Sequence, residues 1–204
     1  SQYMLNSTFN FSFNSPTPTH AITTALTDKS TVSVYMKRDD LIHPFISGNK
    51  WRKLKYIFEN MLRNDQHTVV TFGGAWSNHL LATACAGAIF KIRTIGFVRG
   101  EEQVSNPVLN LCKLYGMELN YVDRSAYRDK KALFDSWKLS NLNAKAVFVD
   151  EGGAHPLALI GCEEIIEEIK ATGQEFDHIF CACGTGTTLA GLAKGIAEHE
   201  IKTR

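Results

Sequence analysis

At 204 residues, 44% of them hydrophobic, the chain is long enough to bury a sizeable core, as one α/β domain or two smaller ones. With 22 Lys+Arg against 21 Asp+Glu the formal charge is +1, and no basic block is long enough for a nucleic-acid footprint, so no nucleic-acid partner is expected. The 5 cysteines are odd in number and include no C-x-x-C pair, which argues against a disulfide framework and suits a reducing cytoplasm. No run approaches the ~20 apolar residues of a membrane span, and the first residues lack the basic start and apolar block of a signal peptide, so no membrane partner is expected either.

Past a polar N-terminal segment, "TVSVYMKRDD" alternates like a strand, and Gly48-Asn49 reads as a turn into a helix. "TVVTFGG" is a short β-branched strand ending in glycines, and Ser77-Asn78 caps the apolar-periodic helix "HLLATACAGAIF". The unit then repeats as strand "RTIGFV", helix "PVLNLCKLYG", strand "ELNYV", helix "AYRDKKALFDSWKLSNL" and strand "AKAVFV". "DEGGAHP" leads to the helix "LALIGCEEIIEEIKATG", after which a last strand, "FDHIFCAC", enters the loop "GTGTT" and the helix "LAGLAKGIAEH". Strands alternating with helices imply parallel strands, right-handed crossovers, a sheet covered on both faces and a ligand site at the carboxyl ends of the strands. Cys181 and Cys183 share a face of the last strand; without His or Cys neighbours they read as small core residues rather than metal ligands.

The helix after Gly48 carries an anomaly. At 100° per residue Trp51, Leu54, Ile57, Phe58, Met61 and Leu62 fall on one arc of about 140°, and Lys50 lies inside it. Arg52, Lys53, Lys55, Glu59 and Arg63 project outside that arc or at its margins, where a solvated charge costs little. An inward lysine either snorkels to water from the first turn or loses its proton, finds a counter-charge or is modified.

Three strand-to-helix loops hold groups that a turn does not require. "CGTGTTLAG" places Gly184, Thr185, Gly186, Thr187 and Thr188 where backbone N–H groups and the positive end of a helix dipole converge, which suits a phosphate monoester. Leu189 breaks the dinucleotide spacing G-x-G-x-x-G and no lysine completes a P-loop, so a nucleotide-binding oxidoreductase is disfavoured. "GGAWSNH" sets Ser77, Asn78 and His79 at a helix start, either as plain capping or as a site for a carboxylate and a ring hydroxyl. "DEGGAHP" is either a flexible turn or a place where backbone approaches a ligand closely.

An inward lysine, a phosphate cradle and a carboxylate-binding helix start together describe a site for pyridoxal 5′-phosphate and an amino acid, with Lys50 as the Schiff-base lysine. "SGNKWRKLKY", "GGAWSNHLLATA", "DEGG" and "CGTGTTLAGL", in this order, resemble the 1-aminocyclopropane-1-carboxylate deaminase and D-cysteine desulfhydrase family of fold-type II pyridoxal-phosphate enzymes. The resemblance implies open, mostly parallel sheets with helices on both faces. It implies a cofactor domain at 1–48 with 156–204, incomplete at its C-terminus, around a smaller α/β domain at 49–155, and a homodimer is the expected assembly. It further implies that Lys50 carries the cofactor and moves the substrate proton, that Asn78 bonds the ring hydroxyl beside the substrate, that Ser77 and His79 hold the substrate carboxylate, with Ser77 also a catalytic residue near the reacting carbon, and that Gly184 to Thr188 hold the phosphate. His79 leans towards D-cysteine, because the deaminase branch carries Gln there. A non-catalytic sensor that kept the phosphate loop is the competing class.

Overall fold

The structure, a computed structural model, describes residues 13–102 and 105–203. Residues 1–12 of the expected cofactor domain lie outside the described residues. Two strands, β1 (Thr19–Ile22) and β2 (Val34–Lys37), pair antiparallel. Helix α1 (Asn49–Arg63) leads into an alternating series: β3 (Thr68–Gly74), α2 (Asn78–Phe90), β4 (Arg93–Arg99), α3 (Pro107–Leu114), β5 (Glu118–Val122), α4 (Lys130–Leu139), β6 (Ala146–Val149), α5 (Pro156–Ala171) and α6 (Thr187–Glu198). The four strands β3 to β6 form one parallel sheet in the order β5-β4-β3-β6.

Side-chain parity sets the two faces of that sheet. Val70, Phe72, Ile95 and Phe97 point to α4, where Phe134 and Trp137 cover them. Val69 and Val149 point the other way, into a cluster with Trp51, Leu54, Phe58 and Met61 of α1 and Ala82 and Ala86 of α2. The chain steps from β3 outward to β4 and β5, then returns to the opposite side of β3 for β6. That reversal opens a crevice at the carboxyl ends of β3 and β6, between the loops 74–77 and 150–155.

The structure corrects four expectations. The charged residues of α1 are not at a solvated margin: Arg52 is 1% exposed, and Lys53, Lys55 and Glu59 are also buried. The reason is a second buried face, against α5. Gly161 of α5 lies so close that a Cβ there would sit 1.8 Å from the Arg52 carbonyl oxygen. Burial of Arg52, Lys55 and Glu59 is tolerated because each is paired with an opposite charge, whereas Lys53 has only the Gly152 carbonyl as acceptor. Arg52 donates to Glu168 (2.6 and 2.9 Å) and Asp39 (2.9 and 3.1 Å), Lys55 donates to Glu164 (2.7 Å), and Glu59 accepts from Arg63.

The expected helix over 126–142 is interrupted at Asp129, whose side chain accepts the Ala132 N–H and starts α4 anew. The segment 176–183 is not a strand, because none of the described residues pairs with it and an unpaired strand leaves its ladder unformed. Phe180 there is 93% exposed, and Cys183 is exposed rather than a core residue. Finally, the last helix begins at Thr187, inside the loop that the sequence placed before it. No described helix is long and apolar enough to cross a membrane.

Candidate active site

The backbone around "SGNK" explains how Lys50 is delivered. Gly48, the residue before α1, has φ 62° and ψ −143°, a region that essentially only glycine occupies, although nothing crowds its missing Cβ. The turn sends Asn49 and Lys50 into the first helical turn. Asn49 Nδ2 donates to Thr188 Oγ1 at 2.6 Å, tying the start of α1 to the start of α6. Lys50 is half-buried, and burial first, then the nearby Lys53 charge, pushes its ammonium below the ordinary lysine range.

Two adjoining clefts meet at Lys50. One, of about 400 Å³, is lined by Lys50, Lys53, Gly152 and the loop residues Gly184, Thr185, Gly186 and Thr188. The other, of about 450 Å³, is lined by Lys50, Ser77, Asn78, His79, Arg99 and Glu151 among others. Thr187 does not line the first cleft; it is buried beside it, with its hydroxyl 3.2 Å from that of Thr185.

The first cleft has the donor set of a phosphate site. The first-turn amides of α6 have no carbonyl partner within the helix and sit at its positive end. Hydroxyls of Thr185 and Thr188 flank them. Lys53 adds an amine to the lining: it is 4% exposed, its Nζ donates to the Gly152 carbonyl at 2.9 Å, and burial lowers its pKa.

The second cleft has the donors of a carboxylate site. Ser77 is the N-cap of α2, and its Oγ accepts the Leu80 N–H at 3.2 Å, which leaves the hydroxyl proton to donate elsewhere. Asn78 is exposed at the cleft. His79 is arranged differently: its ring turns inward and is almost fully buried. The Thr71 hydroxyl gives its one proton to the Val149 carbonyl (2.8 Å), so it must accept from His79 Nε2–H at 2.7 Å. That fixes the neutral tautomer, and burial first, then the Lys50 and Lys53 charges, push the imidazole down to about 3. Nδ1 is a buried lone pair with no partner among the described residues.

Sequence reasoning brought together Lys50, Ser77, Asn78 and the loop 184–188, and all of them except Thr187 line the paired clefts. It missed Lys53, which lies one helical turn beyond Lys50. An i, i+3 relation to an inward lysine was the available signal. It also missed Arg99 and Glu151, which end strand β4 and follow strand β6 at the carboxyl edge where ligands bind. Among the described residues no group of three or more His, Cys, Asp or Glu side chains forms a metal site.

An amine between two helix starts that present free amides and hydroxyls has the donors to suit a phosphorylated aldehyde cofactor. A family model described as "Pyridoxal-phosphate dependent enzyme" matches residues 12–204, and the chain belongs to that family. Among curated proteins it is 36% identical over 186 residues to a putative 1-aminocyclopropane-1-carboxylate deaminase of Thermotoga maritima, covering 89% of this chain and 59% of the relative. It is 30% identical over 196 residues to a bifunctional D-cysteine desulfhydrase/1-aminocyclopropane-1-carboxylate deaminase, mitochondrial, of Arabidopsis thaliana, covering 88% of this chain and 49% of the relative. A solved structure of an ACC deaminase homologue superposes with a TM-score of 0.82 at 31% identity, covering 100% of this chain and 63% of that one. The chain therefore spans about half to three-fifths of the length of the relatives it matches. The fold is the fold-type II α/β arrangement expected from the motifs.

Proposed function

We propose that the chain belongs to a lyase that uses pyridoxal 5′-phosphate to convert a small amino acid, foremost D-cysteine, to pyruvate, ammonia and sulfide. The observation that carries this reading is the position of Lys50, whose amine is common to the phosphate-type cleft and the carboxylate-type cleft. When bound, the cofactor supplies a conjugated electron sink for the substrate's α-carbon.

Each residue then has a stated task. Gly184, Thr185, Gly186 and Thr188 hold the phosphate with amides and hydroxyls, Lys53 neutralises it, and Thr187 braces Thr185. Asn78 bonds the ring hydroxyl. Ser77 Oγ–H and the first-turn amides of α2 hold the substrate carboxylate, and His79 contributes through its main chain while its ring holds Thr71. Lys50 carries the cofactor and, once released, takes the α-proton; its lowered pKa suits a base near neutral pH. The smaller unit at 49–155 and the larger one at 1–48 with 156–204 are part of the same proposal, as is a homodimer in a reducing cytoplasm, which five unbridged cysteines support.

1-Aminocyclopropane-1-carboxylate is the second reading, because relatives carry both names. The test is spectroscopic and chemical. Purified protein loaded with the cofactor should be yellow, borohydride should fix the cofactor on Lys50, and D-cysteine should release pyruvate faster than 1-aminocyclopropane-1-carboxylate releases 2-oxobutanoate. A protein that stays colourless, or labels a different lysine, overturns the assignment. A coloured protein that releases neither pyruvate from D-cysteine nor 2-oxobutanoate from 1-aminocyclopropane-1-carboxylate supports the sensor class instead.

A further inference from the structure

Arg99 has no task in the reaction above, yet it faces the same cleft. It ends β4 directly beside Gly74 of β3, so its side chain emerges at the carboxyl edge with Lys50, Ser77 and Asn78. A Cβ on Gly74 would lie 3.6 Å from Arg99 Nη2, which places the guanidinium across the Gly74 backbone. Its carbon stands 5.5 Å from the centroid of Tyr127, a buried ring that limits where it can swing.

Neighbouring charges separate into a satisfied set and one remainder. Lys130 sits 5.2 Å from the same ring and pairs with Asp150 at 3.6 Å and Glu151 at 3.7 Å. The two carboxylates of "DEGG" thus have a cation already. Among the described residues no carboxylate lies within 4.0 Å of the Arg99 guanidinium, which keeps a planar set of donors suited to a bidentate anion. The helix start at Ser77 already serves one carboxylate, so a guanidinium in the same cleft serves a second anionic group.

We propose that Arg99 is a specificity residue that, among S-substituted D-cysteine substrates, favours those bearing an anionic group on the side chain over their neutral isosteres, with Glu151, which lines the same cleft, opposing it. The proposal rests on the lyase reading, since the anion would depart with the β-substituent. The lyase step balances: the α-proton goes to Lys50, the Cα–H electron pair forms the Cα=Cβ bond, the Cβ–S electron pair leaves on the thiolate that carries the anion, and water converts the unsaturated amine to pyruvate and ammonia.

A pair of ligands of equal shape tests it: S-carboxymethyl-D-cysteine and its uncharged isostere S-carbamoylmethyl-D-cysteine. With the holoenzyme, the ratio of kcat/KM for the acid over the amide should be about tenfold or more. Arg99→Met should bring that ratio near one, and Glu151→Gln should raise it. Trp76, 65% exposed on the rim of the cleft, gives a binding readout independent of turnover. Fluorescence titration should show the acid binding more tightly to the wild type and equally with the amide to Arg99→Met. If D-cysteine itself yields no pyruvate the lyase reading fails, and where the two S-substituted compounds do not react the fluorescence ratio alone decides the role of Arg99. Equal ratios in wild type and variant by both readouts, an equal loss for both ligands, or no fluorescence change with either, overturn it.

Discussion

Replacing Gly161 by alanine tests the crossing of α1 and α5 on which the position of Lys50 depends. An ideal Cβ would sit 1.8 Å from the Arg52 carbonyl oxygen and 3.3 Å from its Cα. A comfortable carbon–oxygen contact is roughly 3.2 Å, so the helices must part by roughly 1.4 Å, more than a packed core absorbs without loss. Parting them stretches the bonds from Arg52 to Glu168, now 2.6 and 2.9 Å, and leaves a buried guanidinium poorly paired. Breaking a buried pair costs about 3–5 kcal/mol, while alanine in a helix interior returns about 1 kcal/mol relative to glycine. The expected net loss is about 2–4 kcal/mol. At about 2–4 °C per kcal/mol for a chain of this size, thermal unfolding should move down by roughly 5–15 °C. Gly184→Ala is the control, because nothing lies within 4 Å of its missing Cβ and its φ is ordinary. Circular dichroism melts of the cofactor-free proteins measure both. A Gly161→Ala melting point equal to or above that of the wild type refutes the close-crossing argument.

Lys50→Ala should abolish turnover and borohydride labelling while equilibrium dialysis still detects cofactor binding; near-normal turnover would remove Lys50 from the mechanism. Lys53→Met should weaken cofactor binding by about tenfold or more and shift the Gly152 turn, an effect that spectroscopic titration would miss only if the lysine serves no phosphate. Thr71→Val should cost about 1–3 kcal/mol in urea unfolding, because it strands the buried His79 Nε2–H. Acid stability follows from two groups. His79 is held at about 3 against an ordinary 6.5, and Glu168 at about 2 against 4.5, where burial is outweighed by the Arg52 and Lys37 bonds. Both pKa values are depressed in the folded state, so the stability they confer is complete above pH 6.5. It falls first as His79 must charge and then, below pH 4.5, as Glu168 takes a proton. The two together amount to roughly 8 kcal/mol at most, and a flat urea midpoint from pH 7 to pH 4 would contradict the assignment of a neutral His79.

Local chemistry made much of the fold readable. Alternation marked the segment containing β2, and a β-branched run ending in glycines marked β3. Ser77 and Pro107 marked helix starts, and alternation of the two element types required a parallel sheet. The α1 pattern was half right: the apolar arc packs on the sheet, but the opposite charged face is buried too. Nothing in Arg52 or Lys55 alone reveals this, because burial of a charge depends on carboxylates from Asp39, Glu164 and Glu168, distant in sequence. The strand expected at 176–183 failed for a similar reason, since a strand is defined by its neighbours and the described chain provides none. At the site, the residue types and their helix-start positions identified Lys50, Ser77, Asn78 and the loop 184–188. Lys53, Arg99 and the inward ring of His79 became visible only in three dimensions.

The sequence by itself determined the order of elements, the glycine-dependent turn that delivers Lys50, and the set of donors for an anion and a carboxylate. All of these depend on φ/ψ preferences, capping and periodicity within a few residues. Only the tertiary structure decided that the two donor sets meet at one amine, that Lys53 underlies one and Arg99 faces the other, and that His79 is neutral. Those properties arise from the reversal of strand order at β3 and from desolvation, which are set by segments far apart in the chain.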